Sequence, residues 1–310
     1  MRLDDLPESG NVEDRRGEGG GYGGGGMGGF PVGGGGLGIG TVVVLGLVGW
    51  ALGIDPRLLI GGAEILTGGG QSYQQPYRPP QQGGQSQGTN DESRRFVSRV
   101  LGSTEVVWKD ILSKDGVTYR PPKLIMFSGM TRSACGQAQS AMGPFYCPND
   151  REVYLDASFF RDLETRFRGC SGKACDFSKA YVIAHEVGHH VQNELGILET
   201  ANAERARSDK RRSNAISVRI ELQADCIAGV WANRADRMRQ ILERGDIEEG
   251  LNAASAVGDD RLQRQARGVV VPDAFTHGSS AQRMHWFKTG LQSGNLKACD
   301  TFSAADLGGG

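Results

Sequence analysis

The sequence predicts an α+β domain carried behind a low-complexity N-terminal region, and three observations predict it. Two short β-like runs, Lys123–Phe127 and Glu152–Asp156, come early in the globular part, and long helical patterns follow them instead of alternating with them. One of those helices carries His185-Glu186-Val187-Gly188-His189, and three of the chain's five histidines fall between 185 and 190. Most of the 48 glycines precede residue 90, which leaves roughly 215 residues to build one substantial core.

The first 36 residues are charged and then glycine-rich, ending the charged part in Glu13-Asp14-Arg15-Arg16-Gly17-Glu18. Gly19 to Gly40 has too few side chains to pack. Residues 37–54 then run without a charge from Leu37 to Ile54. As a helix this segment is roughly 27 Å long, enough to span a bilayer core once Gly33–Gly36 are included. Asp55-Pro56 ends it, and Trp50 sits near that end, where an indole suits the interface. Gly49–Gly53 spells a helix-pairing GxxxG pattern, which carries little weight in so glycine-rich a stretch. Arg2, Arg15 and Arg16 precede the span while Arg57 alone closely follows it, so the positive-inside rule places the N-terminus in the cytoplasm.

Residues 55–90 read as a flexible Gln/Gly/Pro-rich linker. The globular domain is expected over 91–306. It opens on a helix at Ser93–Leu101, continues through the two strands, and has a further helix around Ala157–Phe167. The histidine-bearing helix is expected to start with Asp176 as N-cap and to stop at Gly196. Its stripe of Ala180, Tyr181, Ala184, Val187, Gly188 and Val191 marks it as buried. A long helical pattern runs from about Ser213 to Met238.

Residues four apart share a helix face, so His185 and His189 can offer one metal two nitrogens, with Glu186 beside them as general base. His190 points about 100° away from His189 and is expected to be structural. Zinc in a catalytic site takes three protein ligands and keeps a position open. The extended pattern with a third histidine is absent, because Gln192 and Leu195 stand where its glycine and histidine belong. Glu221, in Glu221-Leu-Gln-Ala-Asp225, is the better third ligand, and Asp225 again shares its face. The pattern resembles the gluzincin arrangement, in which the Glu binds zinc and the Asp orients the first histidine. The bland alternative makes both acids decoration of an exposed helix, against which their apolar neighbours Ile220, Leu222, Ala224 and Ile227 argue.

The chemistry expected is hydrolysis by a zinc-polarised water, with Glu186 taking the proton and delivering it to the leaving amine. His277 is the candidate donor to the oxyanion, with Tyr146 and Tyr154 as competitors. The alternative leaves His277 a loop residue before a helix capped by Ser279 or Ser280. All six cysteines (Cys135, Cys147, Cys170, Cys175, Cys226, Cys299) follow the apolar span, which suits three disulfides in an oxidising compartment. Six buried thiols in a cytosolic domain remain the alternative, and no paired CxxC spacing supports a second zinc site.

Several segments together resemble the neutral zinc metallopeptidases of bacteria, single-span membrane proteins with a C-terminal zincin-like domain. They are Asn11–Gly17, Ala141–Asp150, Tyr181–Gln192, Glu221–Trp231 and His277–Arg283, and the likeness runs nearly end to end. The resemblance implies one zinc per chain on His185, His189 and Glu221, with Glu186 catalytic. It also implies the disulfides Cys135–Cys147 and Cys226–Cys299. The stretch Arg168–Cys175 departs from the family's pattern, and a local Cys170–Cys175 bridge would fit there. The expected protein is thus a peptidase of the cytoplasmic membrane, N-terminus inside and catalytic domain outside, acting on peptides or proteins. Its rivals are a membrane-anchored scaffold that keeps zinc with little turnover, and a zinc hydrolase of non-peptide amides. A net charge of −1 excludes a global field for nucleic acid.

Overall fold

A computed structural model describes residues 1–16, 92–156, 158–165 and 175–308. The expected span at 37–54 with its GxxxG pattern, the linker at 55–90 and Cys170 lie outside those residues. Among the described residues no helix is long and apolar enough to cross a membrane.

Six strands are described: β1 (Val12–Asp14), β2 (Lys123–Phe127), β3 (Met130–Ser133), β4 (Gly136–Gln139), β5 (Phe145–Cys147) and β6 (Glu152–Asp156). Eight helices join them: α1 (Glu92–Lys114), α2 (Phe159–Thr165), α3 (Cys175–Glu194), α4 (Ile197–Arg207), α5 (Lys210–Arg239), α6 (Asp246–Ala256), α7 (Asp259–Arg267) and α8 (Ser280–Ser293). The class is α+β, with most of the helix after the strands. One sheet runs in the order β1-β2-β6-β5, its first three strands parallel and β5 antiparallel at the edge.

Both faces of this sheet are covered. Leu124, Met126, Val153 and Leu155 join the main core, while Ile125, Phe127 and Tyr154 alternate to a second cluster with Ala138 of the β3–β4 hairpin and Cys147. That double burial is why β2 reads as an unbroken apolar run. Cys135–Cys147 ties the hairpin loop to β5, and Cys226–Cys299 ties α5 to the C-terminal segment. The expected Cys170–Cys175 pair falls at the border of the described residues.

The first sixteen residues, outside the expected globular range of 91–306, are part of this domain. Val12–Asp14 pairs in parallel with Leu124–Met126, Leu124 N donates to Asn11 O (2.9 Å) and Arg15 N donates to Met126 O (2.7 Å). Leu6 and Val12 are buried in the main core. Ser9 N and Ser98 O bond at 3.0 Å, and Ser98 Oγ returns a bond to Ser9 O at 2.9 Å. Gly102 makes this possible, since a Cβ there would collide with the Pro7 carbonyl. A three-residue strand is too short to show a period of two, which is why the sequence pattern misses it.

The pairing ties residues 12–14 into the sheet of the domain that carries the histidine-bearing helix.

Several helix limits also differ from expectation. α1 continues thirteen residues past Leu101, because Gly102-Ser103-Thr104 is small and buried, not a break, and Thr104 Oγ1 bonds back to Leu101 O (2.6 Å). α3 already includes Cys175, so Asp176 lies within the first turn, where a negative charge favours the helix N-terminus. Gly196, with φ 73°, turns the chain from α3 into α4. α5 begins earlier than expected, capped by Asp209, whose side chain accepts from Arg212 N (2.8 Å).

Two close crossings set the framework of the site. α3 meets α5 at Gly188, where a Cβ would stand 3.0 Å from Ala224 O. α8 meets α5 at Gly229 and Gly290, where added Cβ atoms would strike Phe287 O and Cys226 O respectively. Backbones that approach this closely hold the facing side chains in a narrow range of positions.

Candidate metal centre

The crossing at Gly188 and Ala224 brings one turn of α3 against one turn of α5. His185 and His189 project from α3 with ring centroids 4.8 Å apart and planes 85° to each other. Glu221 projects from α5 between them, its Oε2 3.2 Å from His185 Nε2 and its Oε1 3.6 Å from His189 Nε2. The ligand atoms of these three residues all lie within 4.8 Å of one another.

Each histidine has its other ring nitrogen engaged. His185 Nδ1 lies 2.9 Å from Asp225 Oδ1, and His189 Nδ1 lies 2.9 Å from Gln192 Oε1. A carboxylate only accepts, so Asp225 takes the Nδ1 proton of His185 in a hydrogen bond and leaves Nε2, turned toward Glu221, as the nitrogen that can bind a metal in exchange for its proton. Two imidazole Nε2 atoms and a carboxylate converging on one point are the donor set of a borderline-soft cation such as zinc. The residues therefore fit zinc.

Asp225 is fully buried and surrounded by donors. Arg283 Nε reaches Oδ2 and Arg283 Nη2 reaches Oδ1, both at 2.8 Å, and the Tyr181 hydroxyl donates to Oδ1. Burial alone would raise the carboxyl, but the charges of Arg283 and His185 outweigh it and hold Asp225 down at about 2. Burial opposes a charge on His185 too, and the neighbouring Asp225 and Glu221 override it, pushing the ring up to about 10. Glu221 sits well below the ordinary carboxylate range: burial works against this, while His277 and His189 favour its charge.

Glu186, beside the first histidine, is 7% exposed. Burial pushes its carboxyl up, against the pull of His185 and His189. A general base in a hydrolase benefits from such a shift.

His277 lies in the loop before α8. Its backbone N–H and that of Thr276 donate to Asp259 Oδ2, at 2.6 and 2.7 Å, and Thr276 Oγ1 lies 2.9 Å from its Nδ1. Burial lowers its basicity, yet Glu221 and Asp259 together raise it, so the ring senses the carboxylate at the centre. Ser279 is the N-cap of α8 and forms a capping box with Gln282. Tyr146 Oη meets His190 Nδ1 and Asn193 Nδ2, each at 3.0 Å, and the Tyr154 hydroxyl donates to Asp150 and Glu152. Tyr154 is thereby committed elsewhere. His190 bonds Tyr146 and Arg120 O through its two nitrogens and is buried, a packing role.

Tyr181, Arg283, Gln192, Gln223 and Asp259 carry no role in the sequence reading. Tyr181 could have been found, since it lies four residues before His185 on the same face. Arg283 offered a weaker signal, a charge on the buried side of a capped helix. Asp259 gave none, because its partners are backbone N–H groups distant in sequence.

A family model described as "Putative neutral zinc metallopeptidase" matches residues 1–302. The uncharacterized protein YpfJ of Escherichia coli K12 is 47% identical over 303 residues, covering 97% of this chain and 99% of its own length. The uncharacterized protein Rv2575 of Mycobacterium tuberculosis H37Rv is 45% identical over 233 residues, 71% of this chain and 75% of its own. No solved structure matches the chain.

Proposed function

The chain belongs to the neutral zinc metallopeptidase family, and from that premise we propose that it hydrolyses peptide bonds with one zinc held by His185, His189 and Glu221. The observation that carries this reading is the convergence of both Nε2 atoms on the Glu221 carboxylate within 4.8 Å, with Glu186 buried beside them. Bound there, zinc would supply Lewis acidity, polarising water and the scissile carbonyl. Glu186 accepts a proton from the attacking water and passes it to the departing amine. His277, tied to Asp259, donates to the oxyanion that develops on the carbonyl. Asp225 holds His185 in the tautomer that presents Nε2. A scaffold with no turnover has no use for a buried carboxylate at position 186.

The two described disulfides favour an oxidising compartment. Together with β1 in the sheet, they support a domain outside the cytoplasm with residues 1–16 on the same side.

The test uses the full-length protein, zinc-loaded, against a diverse peptide library beside Glu186→Gln. The variant is expected to keep its zinc and lose at least about 10²-fold in turnover, the usual contribution of a positioned general base. Cleavage that persists in Glu186→Gln would sink the reading. So would zinc-bound wild type that cleaves nothing.

A further inference from the structure

His185 takes its tautomer from a carboxylate, but His189 faces a side-chain amide. An amide can present either its oxygen or its nitrogen, so nothing in Gln192 by itself says which ring nitrogen of His189 is protonated. Its surroundings decide the matter. Gln192 is completely buried on α3, and its Nε2 lies 2.8 Å from Ile220 O and 2.9 Å from Gln223 Oε1. A backbone carbonyl can only accept, so the nitrogen of Gln192 must face Ile220. Its oxygen is then left to His189.

Gln223 repeats the logic one step further out. It is 7% exposed, and its Nε2 lies 2.9 Å from the Cys299 carbonyl, again a pure acceptor. Its oxygen must therefore face Gln192 and accept. Two fixed carbonyls thus polarise the whole chain in one direction: His189 Nδ1–H to Gln192 Oε1, Gln192 Nε2–H to Ile220 O and Gln223 Oε1, Gln223 Nε2–H to Cys299 O.

The geometry points to Gln192 and Gln223 as positioning residues that impose the Nδ1–H tautomer on His189 and so present its bare Nε2 to the metal. Gln192 acts directly and Gln223 through it. Because the anchors are backbone carbonyls, the order is built into the fold and does not depend on a charge. The inference rests on the metal-centre reading for its purpose, but the tautomer exists in the metal-free protein and can be read there.

The experiment is nitrogen-15 NMR of the histidine rings in the full-length, metal-free protein at alkaline pH, with zinc affinity measured separately by chelator competition. His189 is expected to carry its proton on Nδ1 in the wild type. Gln192→Leu is expected to lose that preference and weaken zinc binding by about 10- to 100-fold, the range typical of partners that orient a metal ligand. Gln223→Leu, which leaves the Ile220 carbonyl to hold Gln192, is expected to give a smaller loss. A wild-type His189 protonated on Nε2 would overturn the inference without any variant. Unchanged tautomer and zinc affinity in a folded Gln192→Leu protein would overturn it equally. A wild type with Nδ1–H that binds no zinc would uphold the relay and count against the metal reading alone.

Discussion

At the scale of single residues, the donors around Asp225 matter as much as the metal ligands. Arg283→Met leaves a buried carboxylate without its counter-ion, which costs about 3–5 kcal/mol in comparable sites. Denaturant unfolding of the metal-free protein should show a loss of that size. Acid should act through the same group. Asp225 is held at about 2, against an ordinary 3.8, so its stabilisation is present above 3.8 and lost as pH falls toward 2. Unfolding free energy of the metal-free protein should therefore climb between pH 2 and 4, and climb less in Asp225→Asn. A parallel climb in both would remove Asp225 as the cause. His185, Glu186, His189, Glu221 and Asp225 were legible in the sequence because helical spacing of three and four residues is a local signal. Gln192 and Gln223 were not, since their roles depend on carbonyls of α5 and of the C-terminal segment.

At the scale of elements, close backbone crossings hold the site together. Gly290 and Gly229 let α8 lie on α5, and the Arg283 side chain reaches Asp225 only because that crossing is tight. Gly290→Ala should force the helices apart and destabilise by about 1–3 kcal/mol or more, as overpacked cores do. At this size each kcal/mol lowers Tm by about 2–4 °C, which calorimetry would detect. Gly10→Ala is the control, since nothing lies within 4 Å of a Cβ there. Equal melting of the two variants would show that the crossing is not under such constraint. The long helices and the buried strands β2 and β6 could be read from sequence, as burial on both faces leaves an apolar run. β1, β3, β4 and β5 have three or four residues each, too few for alternation to stand out, and register with a distant strand defines them instead.

At the scale of the whole molecule, β1 joins residues near the N-terminus to the sheet of the C-terminal domain, which predicts that both lie in one compartment. Epitopes placed after Asp306 and in the Gly19–Gly26 region should respond alike to protease added to intact cells. Opposite responses would mean that β1 does not pair in the cell. Removing residues 1–16 would strip β2 of its neighbour and expose an apolar, unpaired edge of the kind that seeds aggregation. Soluble yield and light scattering of the shortened chain would report it. A truncation just before Glu92 therefore discards part of the core.

The Cys226–Cys299 bridge carries a consequence in time. It closes a separation of 73 residues, worth about 4 kcal/mol by chain entropy. Cys226 directly follows the aspartate that orients His185, and the Cys299 carbonyl ends the chain of amides that orients His189. Groups that orient both histidines thus lie beside one bridge, and a chain with that bridge reduced is expected to hold zinc less tightly than the oxidised one. Chelator competition before and after treatment with a dithiol, on protein kept folded, should show tight binding give way to weak.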